Sequence, residues 1–310
     1  MRCIRPLKAS FDRDGDITHR SRQGIAGLVP FEFECRKCLP CRLNNAREKA
    51  VRCVHEAQMH EDSIFLTLTY DEAHLESEWL IYRDFQLFMK SLRLRSEREI
   101  SYMVTGEYGE RRKRPHWHAI IFGYSPSDAT YKYTSETGEK VYESDEIHSI
   151  WKKGACEFGS VTIDSAGYVA RYAAKKLVHG KDEEHRYHPI HKTSSKRAIG
   201  RSWIEKYWRY TFDHGFVNVK SGEQVVQFKI PRYYVDWFKK YHPEEYVEFC
   251  KGKRLEIIEN AELKARKEEL EHISTIINRG FGKLYPITAK EMNYNILKRK
   301  FARLQQEMKL

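Results

Sequence analysis

The chain has 310 residues, 55 lysines and arginines against 44 aspartates and glutamates, and a formal net charge of +11. That length holds one large domain or two smaller ones, and the positive excess favours an anionic partner, most simply nucleic acid. No stretch approaches the roughly twenty apolar residues of a membrane span, the chain opens without an apolar signal region, and its seven cysteines do not resemble a secreted disulfide framework. A soluble protein of a reducing, intracellular compartment is expected.

Up to about Pro40 the chain reads as loop, and from Arg42 to Met59 as helix. Cys35, Cys38 and Cys41 fall at this transition with Cys-x2-Cys-x2-Cys spacing, and Cys53 follows twelve residues on. Thiolates this close can wrap one tetrahedral ion, so a structural zinc is one expectation, with Cys53, Cys3 or His55 supplying the fourth ligand. The separated Cys-x2-Cys pairs of the usual zinc signature are missing, and free thiols beside a basic helix are the alternative. Residues 64–70, rich in β-branched and aromatic groups, predict a strand. Residues 82–92 place Phe85, Phe88, Met89 and Leu92 at helical spacing. Further strands are predicted over 100–107 and from His116 to Gly123.

In an extended strand alternate side chains share a face, so His116 and His118 project together. If the strands on either side of residues 108–115 form an antiparallel hairpin, Glu107 lies opposite His116 and a carboxylate joins the two imidazoles. A one-residue slip would turn it away. Such a His-His-Glu set with open positions suits Mg²⁺ or Mn²⁺ on a phosphate oxygen, and zinc is compatible with the ligand types. The connecting loop carries Arg111, Arg112, Lys113 and Arg114, which can clamp a phosphate backbone.

Residues 124–141 read as a polar surface insertion, followed by a short helix at 144–151 and a strand at 157–163. Asp164 or Ser165 then caps a helix that carries Tyr168, Arg171, Tyr172, Lys175 and Lys176. Residues four apart on a helix are neighbours, so Tyr168 and Tyr172 present two phenols side by side. Basic residues continue to Arg201, and aromatics interleave with cations over 203–210, as single-strand binders require and as a half-buried helix also tolerates. A second aromatic stretch begins at Ile230, and residues 256–271 form a charged helix with a thin apolar stripe. The division expected is 1–60, a basic cysteine-containing segment; 61–215, the domain with the histidines and tyrosines; and 216–310, a basic, mostly helical region.

Taken together, residues 65–70, Gly106 to Gly109, Arg114 to Gly123 and Tyr168 to Lys176 resemble the HUH-type rolling-circle replication initiators. The likeness is strongest to the replication-associated proteins of microviruses, the gokushovirus branch of single-stranded DNA bacteriophages, whose cysteine cluster before an arginine-containing helix is similar too. The resemblance covers about residues 35–177. It implies an α+β fold, with a central antiparallel sheet of ferredoxin or RRM type, flanking helices, the tyrosine helix across the sheet's open face, and a basic helical C-terminal extension.

It also implies a nickase of the bacterial host's cytoplasm. His116, His118 and Glu107 would hold Mg²⁺ or Mn²⁺ on the scissile phosphate, and Tyr168 and Tyr172 would attack phosphorus in turn, leaving a 5′-phosphotyrosyl link and a free 3′-hydroxyl. Because a phenol has a pKa of about 10, Lys175, Lys176 and the metal would favour the phenolate. The implied partners are phage origin DNA, attached covalently during turnover, and the host replication helicase and polymerase. Three other readings compete. A mobilisation relaxase shares the chemistry, a zinc-containing DNA-binding regulator explains the charge but not the histidine strand, and a small-molecule metallohydrolase explains the histidines but not the basic flanks.

Overall fold

The computed structural model describes residues 2–18, 31–109, 114–136, 138–175, 190–194, 197–221, 224–279 and 287–307. In chain order its elements begin with β1 (Leu7–Phe11), β2 (Ile17–Thr18), β3 (Phe31–Phe33), α1 (Leu39–Ala57), β4 (Ser63–Thr69) and α2 (Tyr82–Ser96). Then come β5 (Ser101–Tyr108), β6 (Pro115–Phe122), β7 (Thr130–Thr134), β8 (Lys140–Glu143), α3 (Asp145–Trp151), β9 (Cys156–Ser160) and α4 (Ile163–Lys175). The remainder is β10 (Ile190–Thr193), α5 (Arg201–His214), β11 (Phe216–Ser221), β12 (Gln224–Lys229), α6 (Arg232–Tyr241), α7 (Pro243–Lys251), α8 (Lys253–Asn278) and α9 (Ala289–Glu307).

These elements fall into two compact units, Met1–Asn44 with Trp208–Val217 and Arg232–Leu310, and Asn45–Tyr207 with Asn218–Pro231. The division differs from the linear one expected at residues 60 and 215. Most of α1 belongs to the second unit because Cys53 Sγ lies 3.6 Å from Met103 Sδ on β5. Residues 218–231 join the same unit, where His55 Nε2 lies 3.1 Å from the Asn218 carbonyl oxygen.

The second unit is built on a seven-stranded sheet of order β10-β5-β6-β4-β9-β8-β7. All its described pairings are antiparallel. This is the expected α+β class, consistent with the HUH endonuclease fold. Period-two alternation explains the layering. Ile64, Leu66 and Leu68 of β4, Val104 of β5, and Trp117, Ala119 and Ile121 of β6 turn to one face. There they pack in one buried cluster with Phe85, Phe88, Met89 and Leu92 of α2 and Ile147 and Trp151 of α3. Each such side chain taken fully out of water contributes about 1.5–3 kcal/mol.

Trp117, fully buried, is the anchor of that layer. Its Nε1 donates to the Tyr70 hydroxyl at 3.0 Å, which in turn donates to Asp84 Oδ2 at 3.0 Å. Gly106 is its cross-strand partner, and a Cβ there would lie 2.5 Å from Trp117 Cζ3. Only glycine leaves room for the indole over the β5 backbone. The register of β6 is thereby fixed from the side opposite His116 and His118.

The other face of the sheet is less open than expected. It receives α4, which carries Tyr168, and also α1, whose Cys53 meets Met103 on the same face as Thr105 and Glu107. Residues 124–141 are not a plain surface insertion either, since β7 and β8 form a hairpin that extends the sheet at its edge. In the first unit, the segment expected as loop holds the small sheet β2-β1-β3. The C-terminal region is helical as expected, and among its described residues α8 buries none. No helix of the described residues is long and apolar enough to cross a membrane.

Candidate active site

The site stands on three neighbouring strands. In the β5–β6 hairpin Glu107 pairs with His116, and in the β4–β6 pair Thr67 faces His118 and Thr69 faces His116. The carboxylate therefore sits across the hairpin from the first imidazole, on the face both histidines share. His116 Nε2 lies 3.1 Å and His118 Nε2 2.7 Å from the same oxygen, Glu107 Oε1. The hydroxyl of Tyr168, reaching over from α4, donates to that oxygen at 3.0 Å. The Tyr168 ring meets His118 edge to face, with centroids 5.1 Å apart.

The far nitrogens of the imidazoles are held as well. His116 Nδ1 is 3.2 Å from the Arg114 carbonyl oxygen, and a carbonyl only accepts, so Nδ1 carries the proton and Nε2 offers its lone pair to the site. His118 Nδ1 lies 3.0 Å from Thr67 Oγ1. Phe65 stacks on His118 with rings nearly parallel, at 5.7 Å between centroids. Both ligand rings are thus oriented by neighbours whose own strand fixes them.

Burial shapes the electrostatics. Glu107 is 5 % exposed, which opposes ionisation, yet hydrogen bonds from His116 and His118 outweigh burial and hold its carboxyl down at about 2. For His118 burial is the leading influence and lowers its pKa, offset in part by Glu107, so the imidazole favours the neutral form that binds a cation.

Two lone-pair nitrogens turned toward one carboxylate oxygen would leave three acceptors crowded together, an arrangement that a cation resolves. The ligand atoms of Glu107, His116 and His118 all lie within 4.8 Å of one another. The donor set, two imidazoles and one carboxylate, fits a divalent ion that keeps open positions for a substrate oxygen.

Of the other expected residues, Arg114 is engaged within the protein. Its guanidinium donates to the Tyr70 carbonyl oxygen at 3.1 Å and to Glu72. Tyr172 lies one turn along α4 from Tyr168, and Arg171 and Lys175 are on the same helix, but the side chains of these three are outside the described residues. Arg111, Arg112, Lys113 and Lys176 are outside them altogether. Thr67 and Phe65 were not anticipated as site residues. The signal was present in β4, where Phe65, Thr67 and Thr69 alternate with buried Ile64, Leu66 and Leu68 and so share the face of the histidines.

Among the cysteines, Cys35, Cys38 and Cys41 come together with Cys3, not with Cys53. Cys41 and Cys53 lie on one continuous helix, and twelve residues at 1.5 Å each separate them by about 18 Å. Cys53 packs instead against Met103, and His55 stacks on Trp203 at 3.7 Å between centroids.

Comparison with known proteins gives a consistent picture. Residues 63–177 match the family model of the ORF2-type replication-associated proteins. The whole chain is 51 % identical to the replication-associated protein VP4 of Bdellovibrio phage phiMH2K, covering all of both sequences. It is 30 % identical to the replication-associated protein ORF2 of Spiroplasma virus 4 over 82 % of this chain and 86 % of that one. It is 31 % identical to the replication-associated protein ORF4 of Chlamydia phage 1 over 76 % of this chain and 59 % of that one. No solved structure matches.

Proposed function

The chain belongs to the ORF2-type family of phage replication-associated proteins, and we propose that it initiates rolling-circle replication as a metal-dependent, site-specific nickase of single-stranded DNA. The observation that carries this reading is the convergence of His116 Nε2, His118 Nε2 and the Tyr168 hydroxyl on Glu107 Oε1. It sets a nucleophile of the right kind beside a cation site of the right kind, on elements rigid enough to hold both.

A divalent ion held by Glu107, His116 and His118 supplies charge neutralisation at the scissile phosphate and fixes its orientation. The protein does the rest. The Tyr168 oxygen attacks phosphorus and gives up its proton, the bond from phosphorus to the 3′-oxygen breaks, and that oxygen leaves as a hydroxyl after taking up a proton. The 5′-phosphate is now joined to tyrosine, and the free 3′-hydroxyl serves a host polymerase as primer while a host helicase opens the duplex. Tyr172, one turn away on α4, is suited to the second cut, after which the displaced strand is rejoined. Lys175 and Lys176 favour the phenolate, and the cations of residues 111–114 with Arg171 grip the flanking backbone.

The test uses labelled oligonucleotides tiled across the viral origin, with Mn²⁺. One of them should become covalently attached to the protein, and mapping the labelled peptide should identify a tyrosine of α4. Absence of any adduct, or an adduct that persists in the Tyr168→Phe, Tyr172→Phe double variant, rules the mechanism out.

A further inference from the structure

The second group of metal-type ligands lies in the other unit and has no part in the nicking chemistry. Cys3 precedes β1, Cys35 and Cys38 follow β3, and Cys41 sits in the first turn of α1. Their four sulfurs all lie within 4.8 Å of one another. Cys38 Sγ is 3.4 Å from Cys41 Sγ and 3.7 Å from Cys3 Sγ. A zinc ion with four sulfurs at about 2.3 Å has tetrahedron edges of about 3.8 Å, the scale seen here. A disulfide is excluded as the reason for the cluster, because its sulfurs would lie about 2.05 Å apart, and all four cysteines are free.

The backbone is arranged for thiolates too. The Cys35 amide donates to Cys3 Sγ at 3.3 Å. Between Cys35 and Cys38 the chain turns sharply, with Arg36 in the left-handed region at φ 59, which brings both thiols of the pair to one side. Cys3 and Cys41 are buried, so two of the four sulfurs are shut away from water while Cys35 and Cys38 remain partly exposed. Four thiols gathered at this spacing from three separate stretches of chain are poorly explained by packing, since the segment offers little else that would draw them together.

We propose that Cys3, Cys35, Cys38 and Cys41 bind one structural zinc ion that staples the start of β1 and the end of β3 to the N-terminus of α1. The β2-β1-β3 sheet has strands of only five, two and three residues, too short to stand without such a tie. Closed tetrathiolate coordination leaves no position for substrate, which makes the ion architectural.

The full-length protein, expressed with zinc and purified without chelator, should carry one zinc per chain by elemental analysis. Exchange for Co²⁺ should give the visible bands of tetrahedral cobalt together with a thiolate-to-cobalt charge-transfer band in the near ultraviolet. The His-His-Glu site contains no sulfur, so a His116→Ala, His118→Ala variant must keep that band, and failure of the nicking reading leaves this test intact. Cys53→Ser must keep it as well, whereas Cys3→Ser and Cys38→Ser should lose the zinc. If a cysteine variant does not fold, wild-type protein treated with a strong chelator reports instead, with a lowered Tm expected. Zinc-free wild-type protein, a cobalt form lacking the charge-transfer band, or loss of that band in Cys53→Ser but not in Cys3→Ser would overturn the assignment.

Discussion

Replacing Thr67 with valine removes one hydroxyl and leaves nearly the same shape, with the β-branching that suits a strand. That hydroxyl lies 3.0 Å from Nδ1 of His118, a residue only 9 % exposed. When Nε2 is committed to a cation, Nδ1 carries the proton and donates it to Thr67, which fixes the ring and raises its basicity. Without the acceptor, a buried N–H goes unsatisfied at a cost of about 1–3 kcal/mol. Loss of such a support weakens metal binding by about 10–100-fold, or ~1.4–2.7 kcal/mol, so the two routes agree in scale. Free Mn²⁺ measured by electron paramagnetic resonance during a titration gives the Kd directly. Thr69→Val is the control, because that hydroxyl, on the same face of β4, donates to the Ala155 carbonyl oxygen and not to a ligand. If Thr67→Val binds Mn²⁺ as tightly as wild type, or if Thr69→Val is weakened equally, the support assigned to Nδ1 is wrong.

Three further outcomes are expected. His116→Ala and His118→Ala should abolish metal-dependent cleavage while leaving most nonspecific DNA binding, as measured by anisotropy, since phosphate contacts supply that. Gly106→Ala should destabilise the protein by about 1–3 kcal/mol in urea denaturation, because its Cβ falls 2.5 Å from Trp117 Cζ3 and the indole has no free space to retreat into. Burial holds His55 well below its usual 6.5, at about 4, against a weaker opposing hydrogen bond to Asn218. The unfolded chain therefore binds the extra proton first, and stability complete above pH 6.5 falls as pH drops toward 4, by about 3 kcal/mol. The difference in urea midpoints between wild type and His55→Gln should narrow over that range, and a constant difference would count against the linkage.

Much of the site could be read from the chain because it is local. His116 and His118 share a face by alternation alone, and Glu107 joins them because a short connection and two apolar strands leave few registers for the hairpin. What the sequence concealed was non-local or weakly patterned. The partner of the Cys35 cluster proved to be Cys3, more than thirty residues away, because the nearer Cys53 is carried off by the straight run of α1. The hairpin of β7 and β8 has almost no apolar face, with every residue of β7 exposed, so the periodicity that reveals other strands is missing there. The strands β1 to β3 are too short to build up an alternating signal. Thr67 looked like an ordinary β-former until the pairing of β4 with β6 gave its hydroxyl a purpose.

The outer hairpin has a consequence for how copies of this protein meet one another. An edge strand such as β7 offers hydrogen-bonding groups to any neighbouring chain, and a sheet of this breadth is a template for edge-to-edge growth. Two local features work against it. A register shift between Tyr131 and Tyr133 bends the strand, and Lys132, at that irregularity, is ion-paired with Glu143 at 3.1 Å and Glu157 at 3.2 Å. An incoming strand would have to straighten the bulge and strip the lysine from both carboxylates. The sheet thus carries its own stop signal, and copies that accumulate during an infection are kept from zipping together.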